Sequence, residues 1–277
     1  MFVHQIFIMI GWRGPAIIAL LNKNETGRSV QINELSATRC PEFLCGEQVV
    51  QVQAGEAGVC LAHEEADVSW CLPARWQGLL VARGMLRVID GGLLAERPVE
   101  ASLVKLQVFI DQGMSFERAR SAAAPWAALS LASGISASRP LLESWYIECA
   151  LRGDPAYQRF AEVLRQSPDY WLVRFLLEQG TASEKLIGLA KRYGVSVSHF
   201  RRLCHQALGC AAKPELRDWR TAKALLSMIG SECSLTDVAL EFGYASSSHF
   251  SKEVRELLGV APSRLCDIQA SMGSMIS

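Results

Sequence analysis

Between about residues 30 and 110, apolar positions alternate with polar ones or gather in short runs, which is the spacing of strands. Gln48-Val49-Val50-Gln51-Val52-Gln53 alternates, and Ala54-Gly55-Glu56 follows as a turn. Val59–Ala62, Leu79–Ala82 and Met85–Ile89 are further short apolar runs set apart by glycines. The period then lengthens. Over 101–112, Leu103, Leu106, Val108 and Ile110 fall mostly on one helical face. Ser121–Ser138, rich in Ala and Ser and carrying Pro125, reads as a loosely structured linker. Helical periodicity then resumes over Leu141–Leu151, Ala156–Arg165 and Pro168–Gln179. The last of these has proline in its first turn and Gly180 just past its end.

The final hundred residues contain one pattern twice. The first copy is Leu189-Ala190, Gly194, Ser198-His199-Phe200 and Leu208-Gly209; the second is Val238-Ala239, Gly243, Ser248-His249-Phe250 and Leu258-Gly259. Ala to Gly is four residues in both and Phe to Gly nine, with one extra residue after the central glycine of the second copy. A short helix, a glycine-centred turn and a longer helix make a helix-turn-helix. In the first unit Thr181-x-x-Glu184 fits a capping box, Gly194 ends the first helix and Ser196 caps the second. Phe200, Cys204, Ala207 and Leu208 are expected inside, which leaves Ser198, Arg201, Arg202 and His205 as an outward stripe. In the second unit Ser234-x-x-Asp237 opens the first helix and Leu235, Val238, Ala239 and Phe242 face inward. Phe250, Val254, Leu257 and Leu258 form the inner face of its second helix, opposite Ser248, Ser251, Lys252 and Arg255, with Ser247 at its start. A helix over Glu215–Met228 joins the units, about 20 Å long at the usual rise per residue.

These patterns predict an α+β chain. A small β-rich amino-terminal domain spans 1–120 and a linker spans 121–140. An all-α domain of two helix-turn-helix units joined by a linker helix occupies 141–277, with its core at 165–270. An arginine fork matches a guanine edge or a phosphate, and a serine permits close approach, so the outward stripes suit major-groove reading. His199 and His249, one residue off the stripes, suit a structural or phosphate-contacting role, and Trp171 and Trp219 are expected in the core.

Composition adds little to this at the level of the whole chain. Half of the 277 residues are apolar, and 28 basic residues balance 28 acidic ones. Locally the balance breaks. From Glu184 to Gly209 there are five Lys/Arg against one acid, and from Leu235 to Gly259 two against four. Phosphate attraction is therefore loaded onto the first unit. The second is expected to read more weakly, or to face a protein partner. Nine cysteines include no C-x-x-C pair, and they read as reduced thiols packed as small hydrophobes. No metal site is expected; Cys40, Cys45, Cys60 and Cys71 lack the paired spacing of a zinc site. His63-Glu64-Glu65-Ala66-Asp67 lacks the second histidine of a metalloprotease motif and reads as a charged turn. With no phosphate-binding glycine loop and no nucleophile elbow, no catalytic residue, cofactor or enzymatic activity is expected. The opening MFVHQIFIMI is too short for a bilayer span and reads as a buried strand, or as sequence upstream of a start at Met9. A cytoplasmic protein without membrane contact is the expectation.

Over about 165–270 the chain resembles the AraC/XylS family of transcription regulators. The residues that carry the likeness, in order, are Gly194-x-Ser196, Phe200-x-Arg202, Gly209, Arg220 with Ala224, Leu235 with Val238-Ala239, Gly243-Tyr244, His249-Phe250 and Gly259-Val260-x-Pro262. The family's aromatic-Arg pair after the terminal proline is Leu265-Cys266 here. Ser167-x-x-Tyr170-Trp171-Leu172-Val173, Tyr193-Gly194-Val195-Ser196 and His199–Cys204 resemble more narrowly the activators of type III secretion genes. Phe109-Ile110-Asp111 and Trp145-Tyr146 extend that likeness towards the amino end. The resemblance implies promoter DNA and RNA polymerase as partners, and a type III secretion chaperone as coactivator. It leaves open whether the amino-terminal part forms a homodimer. Two alternatives stay beside it: control of the same DNA reader by a small molecule, and a helical protein-interaction adaptor that does not contact DNA.

Overall fold

The computed structural model describes residues 49–96, 100–114, 124–131, 139–179, 185–229 and 234–262. The expectations for the opening decapeptide, for Cys40 and Cys45, and for the Thr181–Glu184 capping box lie outside these residues. The chain divides into two compact units, the first ending at Trp171 and the second beginning at Leu172.

The first unit is an antiparallel sheet with helices. Its strands are β1 (Val49–His63), β2 (Val68–Leu72), β3 (Gln77–Ala82), β4 (Leu86–Glu96) and β5 (Trp126–Ser130). The long β1 organises the rest. Its first half pairs with β3 and its second half with β2, while β4 runs along the opposite side. Strand β5 extends the sheet beyond β3. Alternation puts Val50, Val52, Ala54, Val59 and Leu61 of β1 into one apolar core with Leu80 and Leu86, and Trp70, Trp76 and Trp126 pack against it. Each such valine or leucine contributes roughly 1.5–3 kcal/mol by leaving water.

Among the described residues, three helices lie wholly in this unit: α1 (Glu100–Gly113), α2 (Arg139–Arg152) and α3 (Pro155–Leu164). Asp154 caps α3 by accepting the amide hydrogens of Ala156 at 2.7 Å and Tyr157 at 3.3 Å, a stop-and-start at Gly153-Asp154-Pro155. A buried polar network holds the helices. Gln107 donates to Asp111 (2.9 Å) and accepts from the hydroxyls of Tyr146 (2.6 Å) and Tyr157 (3.0 Å). Burial pushes both phenols up, that of Tyr157 to about 12.

Four sequence expectations change here. The turn at Ala54–Glu56 is instead a distortion within a continuous β1, where the register with β4 shifts between Ala54 and Val59. Likewise β4 does not stop at Ile89 but continues through Gly91-Gly92. Residues 126–130 of the expected linker form β5, because Ala127 and Leu129 are buried as the strand pairs with β3. Helices α2 and α3 were expected with the DNA-reading domain and instead lie in the unit of the sheet, since Tyr146 and Tyr157 bond to α1. The cysteine expectation is also corrected in part. Cys60 and Cys71 are directly opposed on β1 and β2, with Cα atoms 4.1 Å apart, and form a disulfide. Cys149, Cys204 and Cys210 are free thiols. The charged segment after His63 is the β1–β2 turn, as expected; the His63 ring accepts the Ala66 amide hydrogen at 3.1 Å and bonds the Arg83 carbonyl.

The second unit is helical: α4 (Pro168–Gln179, which straddles the division), α5 (Leu186–Tyr193), α6 (Val197–Leu208), α7 (Ala212–Ile229), α8 (Leu235–Glu241) and α9 (Ser247–Leu258). The linker helix α7 has 18 residues and starts three positions earlier than expected, so it spans about 27 Å. No helix among the described residues is long and apolar enough to cross a membrane.

Candidate nucleic-acid interface

The two copies of the sequence pattern fold into two matched helix-turn-helix units. Helix α5 ends at Gly194 in the left-handed region (φ +82°), and Gly243, just after α8, has φ +73°. Both longer helices close the same way, on Gly209 (φ +70°) and Gly259 (φ +74°). Ser196 accepts the His199 amide hydrogen at 3.3 Å, and Ser246 accepts that of His249 at 3.1 Å. The predicted Ser234–Asp237 capping box is present with both of its bonds.

The inner faces fill as expected. Phe200, Cys204, Ala207 and Leu208 of α6 are buried, as are Phe250 and Val254 of α9. The first unit is fixed by an aromatic trio in which the Tyr193 ring lies 5.1 Å from Phe175 and 5.5 Å from Phe200. The second packs Val238, Ala239, Phe250 and Val254 against Ala224, Leu225 and Met228 of α7. Lys223 of α7 reaches back to donate to the Leu177 carbonyl at 2.8 Å, and burial lowers its pKa. Trp219 is buried as expected, whereas Trp171 is only half-buried.

With the inner faces packed, the outward stripes are defined by what remains. On α6, Ser198, Arg201, Arg202 and His205 are all exposed. Among the described residues, no acidic side chain lies within ion-pair distance of Arg201 or Arg202. On α9, Ser248, Lys252 and Arg255 are exposed, while Ser247 and Ser251 are half-buried. Lys252 lies 3.9 Å from Glu256. The two stripes therefore differ chemically. Among the described residues, the first offers two guanidinium groups with no acidic partner, and the second offers short hydroxyls, Arg255 and a lysine beside an acid.

Sequence reasoning missed the treatment of those acids. Glu253 lies 3.7 Å from Arg220, and Glu256 lies 4.0 Å from Arg217, both arginines coming from α7. The acidic excess counted over Leu235–Gly259 is thus offset by a helix outside that stretch. The signal available in the sequence was the arginine pair at 217 and 220, three apart on one helix face.

The described residues hold no cluster of three or more metal-ligating side chains. The arrangement presents two helices and cations, which fits contact with a polyanion.

Comparison with known proteins agrees with this geometry. Residues 189–267 match a helix-turn-helix domain family. The invasion protein InvF of Salmonella typhi is 36% identical over 200 residues, covering 72% of this chain and 92% of that protein. The transcriptional regulator MxiE of Shigella flexneri is 32% identical over 130 residues, covering 46% of this chain and 62% of that protein. Among solved structures, ToxT of Vibrio cholerae aligns over 81% of this chain and 91% of its own, with 11% identity and a TM-score of 0.34. The match to InvF extends well beyond the helix-turn-helix region and over most of both proteins, so the chain belongs with InvF in the AraC-type family of helix-turn-helix transcription regulators.

Proposed function

We propose that the chain is a sequence-specific activator that binds promoter DNA of type III secretion and virulence genes. The observation that carries this reading is the pair of exposed arginines, Arg201 and Arg202, without an acidic partner among the described residues, on the second helix of a capped helix-turn-helix. Arginine forks aimed outward from such a helix suit guanine edges or phosphates. Ser198 and His205 complete the first contact stripe, and Ser247, Ser248, Ser251, Lys252 and Arg255 form the second. A linker helix of about 27 Å lies close enough to the ~34 Å groove repeat for both stripes to meet one face of a duplex.

The similarity to InvF, named an invasion protein, supports secretion-associated targets. The same likeness supports action in the cytoplasm with RNA polymerase and with a type III secretion chaperone as coactivator. A weaker second stripe makes help from a partner protein physically reasonable. The test is a reporter driven by a type III secretion promoter in a foreign host. Activation only when the chaperone is co-expressed is the expected result. Activation by the chain alone, or by an added metabolite, contradicts the partner-dependent reading.

A further inference from the structure

The two reading helices are held in place by different chemistry. Helix α6 is set by the Phe175–Tyr193–Phe200 trio. Helix α9 has Phe250 and Val254 in the core and, beside Val254 on its flank, a carboxylate that is 11% exposed. That carboxylate, Glu253, has Thr221 Oγ1 of α7 at 3.1 Å, a hydroxyl whose one hydrogen is shared between Glu253 and the Arg217 carbonyl at 3.0 Å. It also lies 3.7 Å from Arg220 of α7, and 3.3 Å from His249 on its own helix. Thr221 Oγ1 is also 2.8 Å from Tyr244 Oη in the turn that precedes α9, and Arg220 stacks on that tyrosine ring at 4.7 Å. One acidic side chain thus ties the linker helix, the turn and the reading helix together.

Helix α6 carries no matching carboxylate. Fifty positions earlier, the residue matching Glu253 is the half-buried Leu203, and the residue matching Glu256 is Gln206. Apolar contacts are non-directional and tolerate small rotations of a helix about its axis. A largely enclosed carboxylate with partners on a neighbouring helix tolerates them far less, because rotation strips a charge of its partners. Rotation also decides which base edges Ser248, Lys252 and Arg255 can reach.

We infer that Glu253 is a positioning residue for DNA reading: through Thr221 and Arg220 it fixes the rotation of α9, and so the base preference of the second half-site alone. This rests on the DNA-binding reading of the exposed stripes. Glu253 itself need not touch DNA.

The test is selection of binding sites from a random duplex DNA library by the full-length chain. Wild type is compared with Glu253→Gln, with Thr221→Val, which removes the bond from the linker helix, and with the Arg201→Ala/Arg202→Ala pair. The arginine pair identifies the half-site read by α6. The expected result for Glu253→Gln and Thr221→Val is retention of that half-site, with base discrimination in the other falling about tenfold. An unchanged two-part motif in both variants overturns the proposal. Equal weakening of both halves also overturns it, because Glu253 would then only support the fold. Failure of the wild-type chain to enrich any sequence overturns the DNA-binding reading itself, and this inference with it.

Discussion

Arg165 grips Asp111 with two parallel hydrogen bonds, Nε to Oδ2 at 2.8 Å and Nη2 to Oδ1 at 2.7 Å. Asp111 also accepts from Tyr170 Oη at 2.7 Å and from Gln107 at 2.9 Å, so its carboxylate is saturated although only 4% exposed. Burial opposes the charge on Arg165, but the bonds and charge of Asp111 more than offset it and raise its pKa. Asp111→Ala leaves a buried guanidinium and a phenol without their acceptor. A loss of about 3–5 kcal/mol is expected, read as an earlier urea midpoint. Asp111→Asn, which keeps the shape and one acceptor oxygen, is expected to cost less.

The stripes should respond unequally to substitution. Arg201→Ala and Arg202→Ala are each expected to weaken site binding by ~1–3 kcal/mol where the arginine reads a base, and to weaken all sequences alike where it holds a phosphate. Lys252→Ala is expected to cost less, because its ammonium already lies 3.9 Å from Glu256. Titration of labelled duplex at two salt concentrations separates the cases: loss of a phosphate contact lowers the salt slope by about one.

Two left-handed glycines should differ sharply. At Gly194 (φ +82°) a Cβ would meet nothing within 4 Å, so Gly194→Ala carries only the backbone cost of about 1–2 kcal/mol. At Gly91 (φ +85°) a Cβ would stand 2.3 Å from the Gly58 carbonyl oxygen, across the β1–β4 ladder. Gly91→Ala is expected to be the more destabilising of the two in thermal melts.

Cys204 is enclosed in the first reading unit, and burial pushes its thiol up to about 11 from an ordinary value of 9.0. A raised folded pKa stabilises the native state fully below the unfolded value, and that contribution is lost as pH rises from about 9 to 11. Cys204→Ala is expected to flatten the alkaline limb of stability against pH. At pH 8 the Cys204 thiol should stay unreactive towards a thiol reagent until denaturant is added.

The helix-turn-helix pair was legible because its determinants are local. Gly194, Gly243, Ser196, Ser234 with Asp237, and the 3.6-residue rhythm of Phe200 and Cys204 each act within a turn or two of chain. What escaped depends on partners distant in sequence. Strand β5 is a five-residue Ala-rich stretch that is a strand only because β3 lies beside it. The Cys60–Cys71 bond follows from the β1–β2 register, which spacing alone does not reveal. Asp111 and Arg165 are 54 residues apart, and neither position advertises the other. In the second unit, Glu253 looked like a repulsive charge until α7 supplied Arg220. Charge counted along a segment misleads when the counter-charge comes from another helix.

The central claim is that two unlike helices of one chain read adjacent stretches of one duplex. DNase footprinting of the full-length chain on DNA upstream of type III secretion genes tests it most directly. Protection of about two helical turns, roughly 20 base pairs, is the predicted result, lost when Arg201 and Arg202 are both replaced by alanine. Absence of any protected site, or a footprint that survives the double substitution unchanged, would contradict it.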